Sequence, residues 1–175
     1  MGDSMGSGIK KVIAASSGFS LFEVVFTLLI TILFSGIALA SSNLADRQKL
    51  NFAANLVCKD IRWIQQQNED NNGTYAILFD CWNDVYYLKK CEAGAKSRKV
   101  FLPAGIELTA TNFDFDNNSD NGYDNELRFN SKGEPFRNTG ILCGGHLGLR
   151  NKNKKYLYVI VASVTGQVRI DTNPP

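Results

Sequence analysis

The sequence Ser17-Gly18-Phe19-Ser20-Leu21-Phe22-Glu23 opens an apolar run that continues through residues 24–40. Residues 19–40 carry one charge, that of Glu23. A helix of this length spans roughly 33 Å, which is enough to cross the apolar core of a bilayer. A carboxylate inside such a helix is costly, so Glu23 is expected to have a partner or a specific role. We therefore predict a membrane-spanning helix over residues 19–42.

The signals before this run differ in order from those of an ordinary secretory signal peptide. Lys10 and Lys11 lie in a short polar leader, and the junction at Gly18 precedes the apolar run instead of following it. A secretory signal would place its small-residue cleavage site on the far side of the apolar run. We therefore assign residues 1–18 to a leader peptide that is not part of the fold.

The stretch from Gly18 to Glu23 resembles the G-F-T-L-x-E signature of the type IV prepilin superfamily. The resemblance implies that a prepilin peptidase cleaves between Gly18 and Phe19 on the cytoplasmic side, and that the new Phe19 amine is methylated. It also implies that Glu23 neutralises the amine of a neighbouring subunit inside an apolar filament, where an unpaired charge is costly. The alternative is a plain single-pass anchor in which the signature is accidental.

The helical pattern continues beyond the apolar run. Apolar residues recur at three- and four-residue intervals at Leu50, Ala53, Ala54, Val57, Ile61 and Ile64. This spacing predicts one helix from residue 19 to about residue 68, with an amphipathic second half over residues 43–70. The Asn- and Asp-rich residues 68–73 favour a turn at its end.

The remaining residues, 71–175, have the composition of short strands separated by turns. Strand-like runs lie at residues 74–79, 85–88, 100–102, 106–109, 127–129, 140–142, 156–162 and 166–170. The expected fold is therefore α+β, with a long N-terminal helix packed on a small, mostly antiparallel β-domain.

Three segments of this half resemble the globular domain of GspH/FimT-like proteins. They are Leu102-Pro103-Ala104-Gly105-Ile106, Glu126-Leu127-Arg128-Phe129 with Gly133 shortly after, and residues 159–169. Those proteins are minor pseudopilins of type II secretion systems and minor pilins of type IV pili. The resemblance implies a pilin-like helix packed on a two-sheet β-domain.

The composition offers little support for an enzyme. The formal net charge is +2, and without its leader the chain has 17 basic and 16 acidic side chains, so overall charge indicates no partner. His146 is the only histidine and lies in a glycine-rich stretch, 143–148, that is expected to be a loop. The sequence has no nucleophile elbow, no H-E-x-x-H and no phosphate-binding glycine motif. We expect a structural subunit without a resident cofactor.

Four cysteines follow the apolar run, and none has C-x-x-C spacing, which argues against zinc or a redox dithiol. Cys81 and Cys91 flank one predicted hairpin, so the simplest pairing is Cys81–Cys91, which leaves Cys58 for Cys143. Such bridges presuppose an oxidising, extracytoplasmic location. The alternative is four reduced thiols.

The acidic residues 114–126 offer oxygen ligands for calcium at Asp114, Asp116, Asp120 and Asp124. The spacing fails the EF-hand pattern, because positions 6 and 12 counted from Asp114 are Ser119 and Asn125. A solvated loop between strands is therefore the stronger expectation, and a non-EF-hand calcium loop is the weaker one.

Basic residues gather near the C-terminus, where they form a candidate DNA-binding set: Arg150, Lys152, Lys154, Lys155 and Arg169. Clustered lysines and arginines neutralise phosphates. DNA-uptake members of the resembled family have a Gly-Arg-x-Arg motif, and here Gln167 stands at the position of its first arginine. A solvated, charged hairpin loop is the alternative.

These observations favour the precursor of a minor type IV pilin or type II secretion pseudopilin. The resemblance implies a single-pass protein of the cytoplasmic (inner) membrane with an extracytoplasmic β-domain, which later joins a pilus outside the cell or a pseudopilus in the periplasm. Its partners would be the prepilin peptidase and other pilins, through the N-terminal helix. The alternative is a DNA-binding minor pilin at a pilus tip that acts in DNA uptake.

Overall fold

The computed structural model of the chain describes residues 20–70, 74–116 and 124–174, without the side chains of residues 36–43. The chain divides into two compact units, Met1–Ala40 and Ser41–Pro175. The elements are α1 (Leu21–Glu69), β1 (Tyr75–Asp80), β2 (Val85–Lys90), β3 (Arg98–Phe101), β4 (Ile106–Thr111), β5 (Glu126–Arg128), β6 (Gly145–Asn151), β7 (Tyr156–Val161) and β8 (Val168–Asp171).

In the first unit, Ser20 caps the start of α1. Its hydroxyl accepts a hydrogen bond from the backbone N–H of Phe22 (3.3 Å), and its carbonyl accepts one from Val24 (3.2 Å). Such caps satisfy N–H groups that have no partner within the helix. The large apolar side chains between Leu21 and Phe34 are exposed. Within the described part of the chain, no helix is both long and apolar enough to cross a membrane.

In the second unit, α1 buries the stripe that the sequence predicts. Leu50, Ala53, Ala54, Val57, Ile61 and Ile64 are all buried. Lys49, Asn51, Lys59 and Arg62 are exposed, as expected for the opposite face of an amphipathic helix. The regular spacing of apolar residues therefore gives the helix one buried face, which forms a wall of the core.

The strands form two four-stranded sheets. Sheet A has the order β3-β2-β1-β5 and sheet B the order β4-β6-β7-β8, and every strand pair within them is antiparallel. The helix contacts both: Asp60 accepts a hydrogen bond from Tyr86 of sheet A, and Arg62 donates one to Val168 of sheet B. The predicted α+β fold, a helix packed on antiparallel β-structure, is confirmed.

Two local predictions are wrong. Residues 140–142 form no strand, and Leu142 makes only an isolated bridge with Phe136. The glycine-rich stretch expected to be a loop instead begins β6, which lies between β4 and β7. Glycine weakens the strand signal in the sequence, but here it permits close packing. A Cβ atom on Gly145 would lie 2.7 Å from the Phe113 ring, and one on Gly148 would lie 2.5 Å from Thr109 Oγ1.

Candidate functional site

The N-terminal signature is only partly within the described residues. Gly18 and Phe19, the predicted cleavage and methylation positions, lie outside them. Glu23 lies in the first turn of α1 and is exposed. A carboxylate near the N-terminus of a helix is stabilised by the helix dipole, which partly compensates the negative charge of the carboxylate. The role of Glu23 in assembly stays a prediction.

The basic turn between β6 and β7 presents three exposed lysines, at positions 152, 154 and 155. Arg150 precedes the turn, and its guanidinium donates a hydrogen bond to Glu107 of β4 at 3.0 Å. This bond and the neighbouring Tyr156 raise the pKa of Arg150. Because Arg150 is already paired, the lysines are the cations of this turn that are available to a ligand.

The fifth residue of the candidate DNA-binding set lies apart from this turn. Arg169 of β8 is opposite Ile160, whereas the turn joins β7 at Tyr156. Four residues along a strand correspond to roughly 13 Å. The predicted basic cluster is therefore divided between two places on sheet B.

The outer face of sheet B carries aromatic residues that were not among the predicted site residues. Strand alternation places Tyr156, Tyr158, Arg150 and Arg169 on one face. The rings of Tyr156 and Tyr158 stack with centroids 6.4 Å apart, and His146 lies edge-on to Tyr158 at 6.0 Å. Desolvation lowers the pKa of His146. The only sequence signal for this face was the i, i+2 spacing of the two tyrosines.

Two grooves meet at Trp63 of α1, whose side chain is 42% exposed. The first, of about 450 Å³, lies between α1 and β8, and its cations are Lys59, Arg62 and Arg169. The second, of about 330 Å³, lies toward β2 and β3. Its polar lining residues are Tyr75, Lys90, Lys96 and Arg98. Trp63 is held edge-on against Tyr75 with ring centroids 5.4 Å apart. Arg169 thus lines the same groove as Lys59 and Arg62 of the helix. This grouping was not predicted, because Arg169 lies more than 100 residues from either of them in the sequence.

Three aspartates of the predicted calcium loop lie together, and their carboxylate oxygens are within 4.8 Å of one another. They are Asp114, Asp116 and Asp124, while Asp120 lies outside the described residues. The Asp124 carboxylate accepts hydrogen bonds from the backbone N–H groups of Phe115, Asp116 and Glu126, at 2.9, 3.2 and 2.9 Å. Asp124 therefore helps to shape its own loop, and calcium binding stays a prediction.

The predicted Cys81–Cys91 bridge is wrong for this fold, because the strand register separates the two residues. All four cysteines are free thiols, and Cys58 is buried. The register of β1 and β2 places Cys81 at the turn end of their hairpin and Cys91 at the other end, beside Thr74. The six residues of β1 span about 20 Å, whereas bridged cysteines have Cα atoms roughly 4.4–6.8 Å apart. Without a Cys81–Cys91 bridge, the assignment of Cys58 to Cys143 by elimination loses its basis.

The fold has two similar solved structures. The minor pseudopilin EpsH from the type 2 secretion system of Vibrio cholerae is 12% identical with a TM-score of 0.53, and the match covers 71% of this chain and 97% of EpsH. The type IV minor pilin FimU of Pseudomonas aeruginosa is 13% identical with a TM-score of 0.50, and the match covers 75% of this chain and 92% of FimU. No family profile and no curated protein sequence matches the chain. The expected GspH/FimT-like pilin fold is confirmed.

Proposed function

We propose that this chain is the precursor of a minor pilin or pseudopilin, a non-enzymatic subunit of a pilus or pseudopilus. The observation that carries the proposal is the combination of a pilin-like fold with an exposed apolar helix that has Glu23 in its first turn. Exposed apolar side chains in such number need a partner, either lipid or other helices. In this proposal the membrane supplies lipid before assembly, and the filament core supplies other helices after assembly.

In this proposal the subunit is held in the cytoplasmic membrane by residues 19–42, with its β-domain on the extracytoplasmic side. The prepilin peptidase cleaves after Gly18 and the amine of Phe19 is methylated. The helix is then extracted and packs against the helices of other pilins. Glu23 determines the register, because its carboxylate must meet an amine once both leave water.

Co-expression with a prepilin peptidase tests the proposal. We expect mass spectrometry to find a chain that begins at N-methyl-Phe19. A chain cut after Ala40, or one that stays uncut, would contradict the proposal. A Gly18→Val variant should stay uncut in the same cells, which shows that the peptidase and no other protease makes the cut.

The role of Glu23 is tested separately by a Glu23→Gln variant. We expect normal cleavage but loss of the subunit from filaments sheared from cells, because a neutral amide cannot neutralise the amine. Thr27→Val is the matched control, since the Thr27 hydroxyl donates only to the Val24 carbonyl of its own helix, at 2.9 Å. If Glu23→Gln and Thr27→Val enter filaments equally, the assigned role is wrong.

A second candidate function is DNA capture at a pilus tip. It is favoured by the outer face of sheet B, where stacked tyrosines share a surface with Arg150 and Arg169. Aromatic rings stack on bases, and the basic turn between β6 and β7 supplies positive charges for phosphates. Binding to single-stranded DNA should weaken steeply with salt and be lost in a Lys154→Ala, Lys155→Ala, Arg169→Ala triple variant. Absence of binding at low salt would exclude this function.

A further inference from the structure

Strand β8 is the last strand of sheet B, and no described residue pairs with its outer edge. The hydrogen bond from Ala162 N–H to Gln167 C=O (3.0 Å) sets the alternation of the β7–β8 ladder. By that alternation Arg169 is bonded to Ile160, while the backbone groups of Val168 and Ile170 point away from β7. A hydrogen bond from Arg62 supports this orientation, because the guanidinium reaches the outward Val168 C=O at 3.1 Å.

The outer edge of β8 forms one wall of the groove at Trp63, and α1 forms the other. The helix wall consists of Asn55, Cys58, Lys59, Arg62, Trp63 and Gln66. The N–H and C=O of Ile170 therefore face an open groove as a donor and an acceptor. An unpaired strand edge of this kind is a template for an added strand.

The charge of the groove limits which strand can bind. Among the described residues, Lys59 and Arg169 form no ion pair and no carboxylate lines the groove. The guanidinium of Arg62 has one bond, to Val168, and keeps other N–H donors for a ligand. The two cations of the helix wall, Lys59 and Arg62, favour an occupant that carries carboxylates.

We propose that the edge of β8 pairs with an extended acidic segment of a neighbouring subunit, whose carboxylates are bound by Lys59 and Arg62 of α1. The assignment of the acidic segment to a neighbouring subunit rests on the proposed function. The preference of the groove for an acidic extended peptide does not depend on it. A peptide backbone matches both the donor and the acceptor of Ile170. A phosphate backbone offers acceptors only, so a peptide is favoured over a nucleic acid.

The test measures fluorescence anisotropy of a labelled peptide, Glu-Val-Glu-Thr-Glu-Val, with the full chain in non-ionic detergent. We expect binding that weakens with salt. The same peptide with alternate backbone amides N-methylated should bind at least about tenfold more weakly, because it cannot complete the ladder. Equal binding of the two peptides, or no binding of the first at low salt, would overturn the proposal.

Variants locate the site. Ile170→Pro removes the outward N–H at an edge position that tolerates proline, and Lys59→Glu reverses one exposed charge without altering the sheet. Each should weaken binding at least about tenfold. Lys154→Glu, in the turn away from the groove, is the matched charge control and should change affinity less than about twofold. If Lys154→Glu weakens binding as much as Lys59→Glu, the attraction is non-specific and the proposal fails.

An oligothymidine of equal charge serves as the competing ligand. If it displaces the peptide and binds more tightly, the groove is a nucleic-acid site and the proposal is wrong. Failure of the proposed function shows separately, as a chain that the prepilin peptidase does not cut while the peptide still binds.

Discussion

Replacing Tyr86 by phenylalanine tests how the helix is joined to sheet A. Tyr86 of β2 is fully buried, and its hydroxyl donates a hydrogen bond to Asp60 Oδ2 of α1 at 2.6 Å. The Asp60 side chain is itself buried, at 8% exposure. A hydrogen bond to an ionised acceptor contributes about 1.5–3 kcal/mol, and a buried carboxylate that loses its partner costs more. We expect Tyr86→Phe to lower the free energy of unfolding by about 3 kcal/mol.

Urea unfolding of residues 43–175, followed by circular dichroism, measures this loss. Tyr87→Phe is the matched control, because Tyr87 is the next residue of β2 and is only partly buried. Its ring contacts Lys99, with the ammonium 5.7 Å from the ring centroid. That variant should lose less than about 0.5 kcal/mol. A loss below about 1 kcal/mol for Tyr86→Phe, or equal losses for both variants, would show that Asp60 does not depend on this bond.

The pH dependence of the free energy of unfolding provides an independent test of the Tyr86–Asp60 bond. Burial, and then the hydrogen bond and charge of Asp60, raise the pKa of Tyr86 above its ordinary value. The unfolded chain therefore releases this proton first, at about pH 10. The stabilisation is complete below that pH and is lost as the pH rises further. Between about pH 10 and 11.5, the wild type should lose stability more steeply than Tyr86→Phe.

Three further predictions concern other buried groups. Asn68 bonds Tyr75 N–H and C=O and Phe129 C=O (2.7, 3.0 and 3.0 Å), so Asn68→Ala should cost about 2–4 kcal/mol in urea unfolding. Gly166 has φ +64° and its Cβ would lie 2.1 Å from Gly133 C=O, whereas Gly94, at φ +80°, faces open space. Gly166→Ala should therefore lower the melting temperature far more than Gly94→Ala. Burial raises the pKa of Cys58 to about 11, so iodoacetamide at pH 8 should modify it last of the four cysteines, and readily only in urea, as peptide mass mapping would show.

The helix and its buried stripe were predictable from the sequence alone. Apolar spacing along residues 50–64 indicated which side of α1 meets the core, and those residues are buried. The first two strands and the turn between them were also read correctly to within two residues. These features depend on periodicity and turn chemistry within a few neighbours, which a single sequence contains.

The sites depended on pairings between distant residues. Strand register separated Cys81 from Cys91, although they are close in sequence and flank one hairpin. Sheet order placed Arg169 beside the helix cations Lys59 and Arg62 and away from the lysine turn. Glycines that weakened the strand signal at β6 proved necessary, because neighbouring side chains approach them closely. Register and close approach are set by contacts across the whole domain, so no local pattern in the chain could specify them.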